Sequence, residues 1–179
     1  MDLVRRRRSA EDSPEESFAW FFTVEYPQVV RLLRVVLGDP GVAEDVAQEA
    51  FVRLDRHWER VSRYESPEAW VRMVALNRAF SWRRRELRRR EGERAALRLD
   101  PTLDLTETTA DPVEAAEVLR AVRRLVPRDR ALVGLHHLED RPLAEVAEVL
   151  GMSPNAAKVA LHRARRRLAE LLADVEVTP

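Results

Sequence analysis

The sequence predicts an all-α protein: two small helical domains joined by an extended acidic linker, the C-terminal one containing a helix-turn-helix. Three observations predict it. Apolar residues recur at helical rather than strand spacing along most of the 179 residues, with only five glycines among them. A stretch from about Leu99 to Pro112, bounded by prolines and rich in Asp, Glu and Thr, interrupts that periodicity. Arg141 to Leu172 carries the caps and turn of two helices meeting at an angle.

The first unit, residues 17–98, opens with Phe18, Phe21, Phe22, Val29, Leu32, Leu33, Val36 and Leu37 at helical spacing, with an interruption expected near Pro27. The GDPG segment at Gly38–Gly41 ends this stretch. The next helix sets Val42, Val46, Ala50, Leu54 and Trp58 four residues apart, with Ala43, Ala47 and Phe51 beside them. Arg60 to Glu65 reads as a loop. Ser66, Pro67 and Glu68 then supply an N-cap, a first-turn proline and a first-turn acid for a long third helix. Its apolar seam is Val71, Val74, Ala75, Ala79 and Trp82.

After the linker at 99–112, the second unit covers 113–173. It holds a helix from Val113 through Leu125, another after Pro127, and the helix-turn-helix, with the last residues, VEVTP, expected to fray. Pro142 fits a first helical turn, where its missing N–H is no loss. Val146 and Leu150 face inward, Ala147 allows close approach, and Gly151 suits a left-handed cap. Ser153 and Pro154 begin the second helix. On a wheel of about 100° per residue, Leu161, Ala164 and Leu168 fall within about 40° of Ala157. Asn155, Val159, His162 and Arg166 cluster opposite, flanked by Lys158 and Arg163. One side packs on its own domain and the other suits a DNA major groove. An ordinary helical hairpin with a solvated basic face has the same pattern.

Composition narrows the function classes. With no cysteine, disulfides and thiolate metal sites are excluded. No apolar run approaches the roughly 20 residues that span a bilayer, and Arg5–Arg8 lead into an acidic segment rather than a signal peptide. A cytoplasmic protein without membrane insertion is expected. Formal charge sums to zero, 31 basic against 31 acidic residues, but it is unevenly placed. Arg83–Arg98 and His162–Arg167 are strongly basic, whereas Asp100–Glu117 is acidic. Arg is the standard cation of this chain; its single lysine, Lys158, stands on the proposed recognition helix.

Three segments, in order, carry a family resemblance. GDPGVAEDVAQEAFVRLDRHW (Gly38–Trp58) resembles the core-binding helix of bacterial sigma factors. SPEAWVRMVALNRAFSWRRRE (Ser66–Glu86) resembles their promoter-melting helix. The stretch from Leu125 to Leu168 resembles their C-terminal domain. With only two domains, the chain is similar to the extracytoplasmic-function (group 4) sigma factors of the sigma-70 family. The resemblance implies a transcription initiation factor that binds core RNA polymerase, through the clamp helices of β′ and through the β subunit, and directs it to promoter DNA. No cofactor, metal or catalytic residue is implied.

The resemblance also assigns residues. Asp45, Gln48 and Glu49, with Arg53 more loosely, would contact core polymerase; they share a face with Arg56, opposite the Val42 seam. Arg63, Tyr64 and Glu65 of the loop, and Asn77, Ser81, Arg84, Arg85 and Arg88 of the third helix, would meet the −10 element, where extruded bases stack on aromatic or Arg planes. Trp70 suits either a melting wedge or the core, and the core is preferred. Asn155, Lys158, Val159, His162, Arg163 and Arg166 would face the −35 element. Here NAAKVALHRAR departs from the family's usual pattern, so Val159 would meet a thymine methyl rather than donate a hydrogen bond. The acidic linker would run through basic channels of the polymerase, or serve as a plain tether. An anti-sigma protein is a common partner in the family.

Two other readings compete. A stand-alone helix-turn-helix regulator explains Arg141–Leu172 but leaves Gly38–Trp58 and Asn77 without a role. A metal-dependent hydrolase on His136, His137, Glu139 and Asp140 lacks the i,i+4 spacing of a helical metal site, because adjacent residues point about 100° apart.

Overall fold

The computed structural model describes the backbone of residues 14–97 and 113–176. Their regular structure is helical: α1 (Pro14–Leu37), α2 (Pro40–Asp55), α3 (Trp58–Val61), α4 (Pro67–Leu97), α5 (Val113–Arg123), α6 (Pro127–Val133), α7 (Leu143–Val149) and α8 (Pro154–Glu176). A π turn, Gly134–Leu138, continues α6. The expected linker and the Arg5–Arg8 run lie outside the described residues.

Local chemistry sets most helix ends. Gly38 takes φ 78° to end α1. Asp39 caps α2 by accepting a hydrogen bond from the Val42 N–H at 3.0 Å. Ser66 caps α4 through the Ala69 N–H at 3.2 Å. Leading the turn of the helix-turn-helix, Gly151 sits at φ 60° and its N–H reaches the Glu148 carbonyl at 3.0 Å, while the Met152 N–H reaches Ala147 at 2.9 Å. This is the paired bonding of a Schellman cap. Ser153 then accepts from the Ala156 N–H at 3.2 Å to start α8.

Four expectations need correction. Pro27 does not interrupt α1, which runs unbroken through it. Pro27 and Thr23, whose carbonyl loses its partner, are both exposed, so water serves that carbonyl. Arg60 and Val61 belong to the short α3, so the loop begins at Ser62. Pro142 is the N-cap of α7, in extended backbone, rather than its first helical residue. The C-terminal helix continues to Glu176, past the point where fraying was expected.

Within the first unit α1, α2 and α4 pack through Phe21, Leu33, Val46, Phe51, Leu54, Val71 and Ala75, all buried. Trp58 joins an aromatic group with Phe18 and Phe21, ring centroids 5.5 and 4.9 Å away. In the second unit, Ala121, Leu125, Val133, Ala164 and Leu171 bury α5 and α6 on α8. Arg128 donates to the Leu150 carbonyl at 2.7 Å, holding α6 to the end of α7.

The two units also pack on each other, which nothing in the local pattern foretold. One continuous apolar cluster includes Leu32 and Val36 of α1, Leu76 of α4, and Leu132, Leu135 and Val146 of the second unit. Gly134 admits the closest approach: a Cβ there would stand 2.8 Å from Leu32 Cδ1. At the same junction lie the buried charged residues Glu25, Arg72, Arg130 and Arg141. Arg72 donates from Nη1 to Glu25 Oε2 at 2.7 Å and from Nε to Glu139 Oε2 at 2.5 Å, joining α1 and α4 to the residue after the π turn. Burial opposes the Arg72 charge, but the Glu139 and Glu25 carboxylates outweigh it and hold its pKa above the ordinary value. Arg141 donates to the same Glu139 oxygen at 2.9 Å and to Glu145 at 3.2 Å. Arg130 donates to the carbonyls of Val36 in the first unit and Leu125 in the second, at 3.0 and 2.8 Å, and also to that of Arg123. Burial, with the Arg83 and Arg123 charges, lowers its pKa to about 10.

Candidate nucleic-acid interface

Three solvent-facing surfaces carry the residues singled out above, and each is the outer side of a helix whose inner side is buried. On α2, Ala43, Val46, Ala47, Ala50, Phe51 and Leu54 turn inward. Asp45, Gln48, Glu49 and Arg53 are therefore exposed together, and Val52, about half exposed, stands among them. Glu49 accepts from Arg78 of α4, so this face is tied to the helix beside it. The sequence reading passed over Arg78; its signal was the position next to Asn77.

The second surface runs from the turn after α3 along α4. Arg63, Tyr64 and Glu65 are exposed on that turn, and Arg63 is within 3.4 Å of the Glu59 carboxylate. Asn77, Arg84, Arg85 and Arg88 are exposed on α4, and Ser81, half-buried between them, accepts from Arg84 at 3.0 Å. The structure thus gathers the candidate −10 residues on one helix and the turn that leads to it. Further along, Glu86 is held by hydrogen bonds from Arg89 and Arg90, which lower its pKa to about 2. Arg83, beside the strip, is half-buried near Arg130 of the second unit, and burial, with the Arg90 charge, lowers its pKa. Trp70 is half-buried against the core, its ring 6.2 Å from that of His57, in keeping with the core placement.

The third surface is the outer side of α8. Ala157, Ala160, Leu161 and Ala164 are buried, and Asn155, Lys158, Val159, His162, Arg163 and Arg166 are exposed, as the wheel requires. The small inner side chains let α8 lie close to α7, and among the described residues Val159 projects as the one large apolar group on the outer face. Arg163 lies near Asp129 of α6: burial raises the Asp129 pKa and the Arg163 charge opposes that rise. Arg166 reaches Glu170 at 3.5 Å, an exposed pair one turn apart.

Three of the four residues weighed for a metal turn to other partners. The His136 ring nitrogen Nδ1 is 2.8 Å from the Arg141 carbonyl, and Arg165 donates to His137 Nε2 at 3.2 Å. Burial, the Arg165 charge and His136 lower the His137 pKa. Glu139 faces Arg72 and Arg141. Among the described residues no helix is long and apolar enough to cross a membrane.

Comparison with known proteins agrees with this layout. Residues 21–90 match the family described as sigma-70 region 2, and residues 115–168 match sigma-70 region 4. The RNA polymerase sigma-E factor of Streptomyces coelicolor is 36% identical over 145 residues, covering 80% of this chain and 79% of its own. The ECF RNA polymerase sigma factor SigF of Caulobacter vibrioides is 36% identical over 140 residues, covering 77% of this chain and 75% of its own. In fold, the chain is similar to the sigma factor RpoE of Bartonella quintana, solved with the anti-sigma factor NepR: TM-score 0.71, 18% identity, 87% of this chain and 96% of that one. The stand-alone regulator and the hydrolase are thereby set aside. The chain belongs to the sigma-70 family, among its extracytoplasmic-function RNA polymerase sigma factors: it binds core polymerase and directs promoter-specific initiation, and is not an enzyme.

Proposed function

We propose that the three exposed faces divide the work of initiation. The α2 face of Asp45, Gln48, Glu49 and Arg53 docks on the β′ clamp helices. The α3–α4 turn and the Asn77–Arg88 strip hold the melted −10 element. The outer face of α8 reads −35 duplex DNA, with the second unit also resting on β. The working units are 17–98 and 113–173, with 99–112 as an acidic tether between them. The observation that carries this reading is the separation itself: each face is polar, outward and backed by a buried apolar seam on its own helix.

The same reading places the protein in the cytoplasm, where polymerase and promoter are. It also includes an anti-sigma partner, supported by the complex in which the Bartonella quintana relative was solved. Reconstitution with bacterial core polymerase tests it. Discrete transcription start sites, appearing only when this protein is added, are expected, with shared sequence elements centred near −35 and −10. Retained duplex binding without core binding would overturn it.

A further inference from the structure

Arg78 stands between two of the working faces. It follows Asn77 on α4, at the margin of the −10 strip, yet its Nη1 donates to Glu49 Oε2 on α2. On α2 the residues Asp45, Glu49 and Arg53 stand four apart, so they form one row along the helix with Glu49 in the middle. The Arg78 side chain is 38% exposed and that of Glu49 59%. The Nε of Arg78 is buried without a hydrogen-bond partner, so the stem is packed down and only the outer end of the guanidinium reaches the α2 face. Glu44, at the start of α2, is likewise held from a neighbouring helix, by Arg34 of α1 at 2.6 Å. Asp45 and Arg53, on either side of Glu49, make no ion pair among the described residues. Among those residues the row therefore presents one held, charge-compensated carboxylate between an unpaired acid and an unpaired base.

We propose that Arg78 is a positioning residue for core polymerase binding: it presets the Glu49 carboxylate for the partner that the α2 face receives, without touching DNA itself. This rests on the reading of α2 as the polymerase-docking face. An exposed ion pair of this kind adds little to folding stability. Its effect on docking is larger, for three reasons. A Glu side chain left loose gives up its rotamer freedom when it docks, whereas one already held gave it up on folding. A carboxylate has about four acceptor positions, so the bond from Arg78 leaves places for a polymerase donor. A covering partner also excludes water, which strengthens the pair and keeps Glu49 from being buried as a lone charge. The planar guanidinium fork sets the direction of the carboxylate as well as its charge balance, which an ammonium does less well.

The test uses the full chain and reads two affinities. One is for core polymerase, by fluorescence titration. The other is that of the assembled holoenzyme, at saturating core polymerase, for a −10 single strand. Arg78→Gln is expected to weaken core binding about three- to tenfold and to leave single-strand binding unchanged. Arg78→Lys, which keeps the charge and the stem but not the fork, is expected to recover part of that loss. Glu49→Gln is expected to weaken core binding by a similar factor. Adding Arg78→Gln to it then costs less than about twofold more, because Arg78 acts through Glu49. Unfolding midpoints of all four variants are expected to stay within about 2 °C of the unaltered protein. A larger fall shared by Arg78→Lys would make the role of Arg78 structural and overturn the proposal. Independent, additive losses, or core binding that Arg78→Gln does not change, would overturn it too. So would lost single-strand binding at saturating core polymerase, which would make Arg78 a DNA contact. Failure of the unaltered protein to bind core polymerase would instead defeat the functional reading on which it rests.

Discussion

Replacing Arg72 with Met is the sharpest stability test of the junction. The side chains of Arg72, Glu25 and Glu139 are only 3%, 7% and 4% exposed, so the change removes a guanidinium from between two carboxylates that water does not reach. Breaking a buried pair in this way costs about 3–5 kcal/mol, because Glu25 is left buried without its counter-ion while Glu139 keeps Arg141. For a chain of this size each kcal/mol moves Tm by roughly 2–4 °C, so a fall of about 6–20 °C is expected. The assay is thermal unfolding followed by circular dichroism near neutral pH, where Arg72, its pKa raised, is fully charged in the unaltered protein. Replacing all three, Arg72→Met with Glu25→Gln and Glu139→Gln, is expected to recover most of the loss. A fall of under about 2 °C would refute the claim that paired buried charges hold this junction.

Four further outcomes follow. Gly151→Ala places a side chain at φ 60°, where nothing stands within 4 Å, so conformational strain alone destabilises the protein by about 1–2 kcal/mol, read from denaturant midpoints. Asp45→Ala is expected to weaken core polymerase binding by about tenfold while duplex binding is unchanged, as judged by fluorescence titration of each. Arg163→Ala is expected to do the reverse, costing about 1–3 kcal/mol in promoter binding with core affinity kept; equal losses would undo the division of labour. The Glu86 carboxyl is expected to titrate near 2 in an NMR pH series, so whatever its pairs with Arg89 and Arg90 contribute is present above the ordinary carboxylate range and lost as pH falls through 2.

The sequence revealed those parts of the fold that are governed by neighbours in the chain. Ser66, Gly151 and Ser153 announce helix ends because each cap is satisfied within three residues, whereas the Asp39 cap inside GDPG emerged only in the structure. The seams of α2 and α8 were equally plain, since a period of 3.6 is visible without knowing what the helix packs against. The exposed faces of Asp45–Arg53 and Asn155–Arg166 followed as the complement of those seams. What stayed hidden is non-local. Arg72, Arg130 and Arg141 look like surface residues in an Arg-rich chain, and their burial depends on partners up to 94 residues away. Glu139 and His136 invited a metal reading for the same reason: their partners, a guanidinium from another domain and a backbone carbonyl after the turn, leave no pattern in the local sequence. Pro27 was overweighted because a helix packed on two sides tolerates one missing bond on its wet side.

The π turn at Gly134–Leu138 gives chain length an influence of its own. There the Glu139 N–H bonds back five residues to Gly134 at 3.1 Å, so the segment holds one residue more than an α-turn. A chain shorter by that residue would close an ordinary turn, and whatever follows would swing by about 100°. Glu139 would then face away from Arg72. A single deleted codon would therefore unmake the Arg72–Glu139 contact without replacing any DNA-facing side chain.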